Sequence, residues 1–298
     1  MVTAWLVTNE FLNTEKYTEL NMWLVDAAKE NGIELLIKTN AELLVAIGAV
    51  SRLNEMLERE KPTFVIFWDK DIRLAEYLES IGLRLYNRAR SIEICDNKAM
   101  THIVLNKNGI RMPKTIIAPM TYENIGYKNY SFLTDVSKEL SFPLVVKESF
   151  GSFGQQVYLV HDQGELLSKV QEIRTKPMIF QEYIKASFAR DIRINVVGRE
   201  AVATMFRYSE TGDFRANISN GGRMRCYEPS KEQIDLAVRC VEAIGLDFAG
   251  VDLLFDEEEQ PIVCEVNSNA HFKNIFDCTK VNVAKHIIDY ICNDLQIR

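Results

Sequence analysis

Along the first ninety positions, short apolar runs alternate with stretches of helical periodicity. Residues 4–8 form an apolar run, and over 14–31 Leu20, Trp23, Leu24, Ala27 and Ala28 recur at short helical intervals until Gly32. That spacing predicts a strand followed by an amphipathic helix with a glycine stop. Residues 33–37 read as a second strand, 53–60 as the end of another helix, and 63–67 as a third strand after Pro62. Residues 72–80 have helical spacing and 83–86 form a brief fourth strand after Gly82, whereas 41–51 fits neither period. Such alternation predicts a small open α/β domain with a mostly parallel sheet over residues 1–90. Neither a G-x-G-x-x-G run nor a P-loop motif occurs in it, so no chemistry is assigned there.

Beyond residue 91 the pattern changes. Asp96 precedes a helical stretch that reaches Asn108 with Gly109 just past it, an expected N-cap and C-cap. Residues 114–117 read as a strand, 118–131 as a loop and 134–140 as a helix. Strands over 144–148 and 156–160 flank Ser149-Phe150-Gly151-Ser152-Phe153-Gly154, and a helix over 165–174 leads to a strand over 178–183. Strands over 191–197 and 200–208 meet at Gly198-Arg199, a hairpin signal. A helix over 234–244, strands over 250–255 and 262–266 joined by an acidic turn, and a helix over 283–292 follow. The expected division is an N-terminal domain over 1–90, a central lobe over 91–182 and a C-terminal lobe over 183–298.

A length of 298 residues exceeds what one hydrophobic core usually fills, in keeping with several lobes. Apolar residues at 47% and charged residues at 26%, with few glycines and prolines, exclude long disordered or collagen-like tracts. No window holds the roughly 18 uninterrupted apolar residues of a membrane helix, and the first residues lack a basic segment. A cytoplasmic protein with no membrane partner is therefore expected. Cys95, Cys226, Cys240, Cys264, Cys278 and Cys292 lie far apart with no C-x-x-C, and the histidines form no H-x-x-x-H. They read as packing residues rather than a zinc site or a disulfide framework.

A formal charge of −7 argues against a nucleic-acid partner. The sum hides segregation: residues 190–225 carry seven arginines against Asp191, Glu200, Glu210 and Asp213, a surplus of three, whereas 252–265 carries six acids and no base. A cationic segment beside an anionic one suits a polyanion held with a divalent metal, and it equally suits two solvated faces.

Three constellations give this contrast possible chemistry. Lys147 ends an apolar strand just before a loop whose Gly151 and Gly154 allow backbone N–H groups to approach phosphates, or simply make a turn. Glu265 and Asn267 share one strand face, and a turn near Glu258 would set Asp252 beside Glu265. Two carboxylates and a carboxamide converging there would suit magnesium bound with nucleotide phosphates, against the alternative of an ordinary acidic hairpin. Finally, Asp191, Arg193 and Asn195 share a face of their strand, and Arg207, Arg215 and Asn217 follow. Guanidinium forks in that pattern suit a carboxylate or phosphate clamp, or a salt-bridged sheet surface.

Taken in order, Lys98, LVVKESFGSFG, FQEYI, DIR, DFRAN, GVD and EVNSN resemble the ATP-grasp superfamily, most closely the RimK-type α-L-glutamate ligases and the related LysX-type ligases. The likeness runs from about residue 91 to the end, while residues 1–90 match only in pattern. It implies an α/β (α+β) ATP-grasp fold with a small N-terminal open-sheet domain and the nucleotide between two C-terminal lobes. It implies that Lys98 and Lys147 contact ATP phosphates under a loop bearing Gly151, Ser152 and Gly154. Gln181, Glu182, Tyr183 and Ile184 would line the adenine and ribose pocket, with Asp191 on its ribose side. Arg215 and Asn217 would meet the γ-phosphate or the activated carboxylate, Arg193 and Arg207 a substrate carboxylate, and Asp252, Glu265 and Asn267 magnesium or manganese.

The implied activity is ATP-dependent amide formation through an acyl phosphate, adding an amino acid such as glutamate to a peptide, protein or small-molecule acceptor. A dipeptide or small-amide ligase and a non-catalytic ATP-binding module remain open, as does a homo-oligomer. After EVN the chain reads Ser268-Asn269-Ala270-His271-Phe272-Lys273-Asn274, where RimK-type ligases tend toward Ser-Pro-Gly; the Phe-Lys-Asn run is more similar to LysX-type ligases. The acceptor is therefore left open, and His271 and Lys273 stand between a substrate contact and a surface turn.

Overall fold

The computed structural model describes residues 2–12, 14–49, 52–151, 154–218 and 221–297. β1 (Val2–Thr8), α1 (Glu15–Glu30), β2 (Ile33–Thr39), α2 (Arg52–Glu60), β3 (Val65–Phe67), α3 (Ile72–Ser80) and β4 (Leu85–Tyr86) alternate as the periodicity predicts. The strands pair in parallel in the order β2-β1-β3-β4. Helices cover both faces, which is why Ala4, Trp5, Leu6 and Val7 form an unbroken buried run. Residues 41–49 form neither helix nor strand, and 50 and 51 lie outside the described residues.

The helix expected after Asp96 is α5 (Lys98–Lys107), and a further helix, α4 (Ala89–Asp96), precedes it where none was expected. The cap is Asn97, whose extended backbone breaks the helical path and whose side chain accepts from the N–H groups of Ala99 at 3.1 Å and Met100 at 3.3 Å. Asp96 instead pairs with Lys70.

β5 (Thr115–Ile117), α6 (Phe132–Leu140), β6 (Leu144–Glu148), β7 (Val157–Val160), α7 (Gln163–Ile173) and β8 (Met178–Glu182) build a second sheet, antiparallel in the order β5-β8-β6-β7. Leu133, Val136, Leu166 and Val170 from α6 and α7 cover Val146 and Phe180 on one of its faces.

The third sheet comprises β9 (Arg190–Val197), β10 (Glu200–Tyr208), β11 (Arg223–Cys226), β12 (Phe248–Phe255) and β13 (Pro261–Asn267), antiparallel in the order β11-β10-β9-β12-β13. α8 (Lys231–Ile244), opened by a Ser230/Gln233 capping box, packs Ala237, Cys240 and Val241 against Ile192, Ile194 and Val196. Ile94, Cys95, Leu105 and Ile110 join that core, so the boundary expected at residue 90 falls inside α4, and 94–110 packs with the C-terminal sheet.

α9 (Lys273–Thr279) and α10 (Val283–Leu295) close the chain. β11 and α9 escaped the sequence reading because β11 is a mostly polar edge strand and α9 has no side-chain cap. α1, α10 and one face of the first sheet share a core with Val197, Met205 and Phe248 of the third. Asn87 fixes that joint: its Nδ2 donates to the Phe248 and Ser268 carbonyls at 2.9 and 3.1 Å, and its Oδ1 accepts from Asp247 N–H at 2.6 Å.

Candidate active site

Two crevices meet between the sheets. The narrower, about 870 Å³, opens between the second and third sheets; the wider, about 1680 Å³, opens between the first domain and the third sheet. Gly151, Arg207, Asn217 and Glu265 border both.

The narrower crevice has a cationic side and an apolar floor. Lys147, at 7% exposure, lines it with its Nζ 3.8 Å from Cys264 Sγ, and no carboxylate among the described residues pairs with it. A buried ammonium requires an anion, and the open side of the crevice is where one can enter. Lys98 begins α5, where the helix N-terminus adds positive potential; its Nζ donates to the Gly151 carbonyl at 3.1 Å and lies 3.7 Å from Glu265. Gly151 has φ +135° and Gly154 φ +71°, and a Cβ on Gly154 would come 2.8 Å from Asn217 Oδ1. The glycine loop therefore abuts the segment carrying Arg215, which donates to the Gly154 carbonyl and pairs with Asp213 at 2.7 Å. Ser152 lies outside the described residues.

Val145, Ile184, Phe214 and Leu254 supply apolar surface, with Tyr183 edge-on to Phe214 at 6.2 Å. The β8 residues Gln181 and Glu182 line the same wall, but their side chains are engaged. Gln181 Nε2 donates to Thr115 Oγ1 at 3.0 Å and meets His102 Nε2 at 3.2 Å, while Glu182 accepts from Lys114 N–H at 3.1 Å. His102, which the sequence reading missed, is buried beneath this wall. Burial first, then Lys147 and Lys98, push its pKa down to about 3, so the ring is neutral.

Cross-strand register assembles the ionic row at the junction. Arg207 stands opposite Asp191, Arg193 opposite Asp252, and Asp252 opposite Glu265, which is the pairing expected for the acidic hairpin. Arg193 grips both Asp252 oxygens, Arg207 Nη2 reaches Asp252 Oδ2 at 3.0 Å, and Arg207 Nε donates to Asp191 Oδ1 at 2.6 Å. The arginines expected to meet a substrate carboxylate thus hold the protein's own acids. Burial pushes Asp252 up, but Arg193 and Arg207 outweigh it and hold the carboxyl below its usual range. For Asp191 burial wins over Arg207, aided by repulsion from Asp252, and its pKa rises.

Oxygen donors for a hard cation sit at the edge of this row. Glu265 is 33% exposed and, among the described residues, has only the distant Lys98 ammonium as its ion-pair partner, while Asn267 Nδ2 is buried without a hydrogen bond to any described residue. Two residues apart on β13, they share a face with Asp252 as neighbour. Among the described residues no three His, Cys, Asp or Glu side chains form a metal cluster, and a cation held here would have to draw on a mixed set: Glu265, the Asn267 carbonyl and the arginine-bound Asp252. That set fits magnesium or manganese completed by phosphate oxygens.

The wider crevice draws on the first domain, to which the sequence reading assigned no chemistry. Asn9 and Asp69 follow β1 and β3, and Lys16 and Tyr17 lie in the first turn of α1. The signal was available, because ligands gather outside the carboxyl ends of parallel strands. Lys16 has no carboxylate partner among the described residues, and burial, Arg193 and Lys273 lower its pKa. Tyr17 meets His271 edge-on at 4.4 Å; burial, then Lys16 and Arg193, push the His271 pKa down to about 4. Lys273, by contrast, pairs with Glu19 at 2.8 Å.

Known proteins resemble the chain across this whole arrangement. An uncharacterised protein of Mycoplasma pneumoniae is 35% identical over 88% of this chain and 93% of its own length. Human beta-citrylglutamate synthase B is 33% identical over 85% of this chain, which spans 63% of that synthase's length. The crystal structure of a RimK domain ATP-grasp protein from Sphaerobacter thermophilus superposes with a TM-score of 0.72 at 19% identity, covering 96% of this chain and 98% of that one, and so shares the fold. The sequence profile of the RimK-like ATP-grasp domain matches residues 95–291. Continuous from the end of α4 into α10, this match shows that the chain belongs to the RimK-like ATP-grasp family.

Proposed function

We propose that this chain is an ADP-forming ligase that joins a carboxylate to the amine of glutamate, with ATP in the narrower crevice and both substrates in the wider one. The observation that carries the reading is Lys147, a buried cation without an acidic partner among the described residues, facing a crevice whose far wall is apolar and aromatic. Triphosphate at the cationic end and adenine against Tyr183, Ile184 and Phe214 satisfy both. The backbone of 181–184 would meet the base, and Asp191 would lie toward the ribose. The glutamate assignment rests on the relative named for making beta-citrylglutamate, an amide of citrate and glutamate.

Chemistry follows from position. A carboxylate oxygen in the wider crevice attacks the γ-phosphorus at the junction, the bond to the ADP oxygen breaks, and an acyl phosphate forms. The amine nitrogen then attacks the acyl carbon, phosphate leaves and the amide results. Lys98, Lys147 and Arg215 neutralise the transferred charge, and Asn217 donates to the γ-phosphate, so no enzyme nucleophile is needed. Magnesium or manganese on Glu265, Asn267 and Asp252 would neutralise phosphate charge when bound. Lys16, facing the wider crevice from α1, meets the substrate carboxylate, while Arg193 and Arg207 hold the acids beneath the junction. The reaction would run in the cytoplasm; no helix of the described residues is long and apolar enough to cross a membrane.

The test uses substrate labelled with 18O in its carboxylate. Transfer of one 18O to released phosphate is expected. Phosphate free of label while product forms would overturn the acyl-phosphate route.

A further inference from the structure

Two thiols separated by 52 residues in sequence meet between β11 and α9. Cys226 ends β11 and Cys278 lies in the last turn of α9, with their sulfurs 3.4 Å apart and the Cys226 thiol donating to the Cys278 carbonyl at 2.8 Å. The other described cysteines have no thiol neighbour: Cys95, Cys240 and Cys292 are buried, and Cys264 faces Lys147. Cys226 is exposed, so a reagent from solvent can reach the pair.

Each thiol sits on an element that continues into a wall of the site. β11 follows the segment bearing Asn217 and Ile218, and α9 follows the turn bearing Asn269, Ala270 and His271. A covalent link between β11 and α9 therefore ties the Asn217 wall to the His271 wall.

We infer that Cys226 and Cys278 are a reversible oxidation site, closing to a disulfide by exchange with a low-molecular-weight disulfide such as oxidised glutathione and slowing ligation when closed. The Cys226 thiolate attacks one sulfur of the reagent, forming a mixed disulfide and releasing one thiolate. Cys278 then attacks the Cys226 sulfur and releases the second. The pair loses two electrons and two protons; the reagent gains both electrons, and the released thiolates take the protons. Burial and the adjoining Cys226 raise the Cys278 pKa to about 11, and Cys226, the exposed member of the pair, is the one the reagent reaches first. The sulfurs are in van der Waals contact at 3.4 Å, and closing to the S–S bond length of about 2.05 Å requires the edge strand and α9 to approach further.

The experiment treats the full chain with oxidised glutathione, maps peptides without reduction and follows ADP release during ligation. The expected results are a Cys226–Cys278 cross-link, a rate lowered about fivefold or more and its recovery in dithiothreitol. Cys226→Ser and Cys278→Ser should keep the reduced rate and lose the sensitivity. Glutathione retained on Cys226 without a cross-link, a cross-link that leaves the rate unchanged, or equal inhibition of Cys226→Ser would each overturn the inference. The rate readout rests on the ligase reading, whereas the peptide map does not, so the two failures are told apart.

Discussion

Arg193 and Asp252 stand opposite one another on β9 and β12 and close as a fork on a carboxylate, Nε to Oδ1 at 2.7 Å and Nη2 to Oδ2 at 2.6 Å. Together with Arg207 and Asp191 they form a nearly buried set of two cations and two anions under the junction of the crevices. Removing one member leaves a charge without its partner, which costs more than the intact pair contributes. Arg193→Met is expected to lower the unfolding free energy by about 3 kcal/mol in a urea titration, and adding Asp252→Leu to recover part of it. A surface-like change below about 0.5 kcal/mol would show that the pair is not desolvated.

Lys147 gives the opposite sign for stability. Its ammonium is buried beside a thiol, so Lys147→Met removes an uncompensated charge while keeping the volume. The variant should melt no lower than the parent yet bind ATP about a hundredfold more weakly, a loss of about 2.7 kcal/mol, by calorimetry. Unchanged ATP affinity would remove Lys147 from the phosphate site.

The buried neutral His102 makes stability fall in acid. Its folded pKa of about 3 lies below the ordinary 6.5, so below pH 6.5 the unfolded chain takes up a proton that the folded chain refuses. Between pH 7 and pH 5 this one group should cost about 2 kcal/mol, with the penalty growing until pH 3. Urea titrations at both pH values should show a drop that His102→Gln makes smaller by that amount. An equal drop in the variant would assign the acid sensitivity elsewhere.

Much of this was legible because β-strand alternation fixes which side chains share a face. The Asp252–Glu265 neighbourhood followed from two strands and a turn, and the register sets them opposite each other. What could not be read was the competition for each charge: nothing local shows that Arg193 and Arg207 are taken by Asp252 and Asp191 rather than left open. Lys16 was hidden for another reason: the carboxyl ends of the parallel strands marked that edge of the first domain, but which crevice it faces depends on how the domain docks through Asn87, a long-range arrangement. The cap expected at Asp96 is Asn97, a shift of a single residue.

Glu265 separates metal binding from folding. Its carboxylate is partly exposed and 3.7 Å from Lys98, so Glu265→Gln should leave thermal melting nearly unchanged. Half-saturation by manganese in the presence of ATP should rise about tenfold or more, and turnover should fall at least as far. Full metal affinity with retained ADP formation would refute its role.

The most direct measurement is ADP release from the purified chain with ATP and magnesium, supplied with carboxylates alone, amines alone and their mixtures, followed by the mass of the product. Sustained ADP release and an amide, lighter by one water than its two components, are expected when glutamate and a matching carboxylate are both present. ATP binding with no ADP from any mixture, or ADP release without an amide product, would contradict the ligase reading.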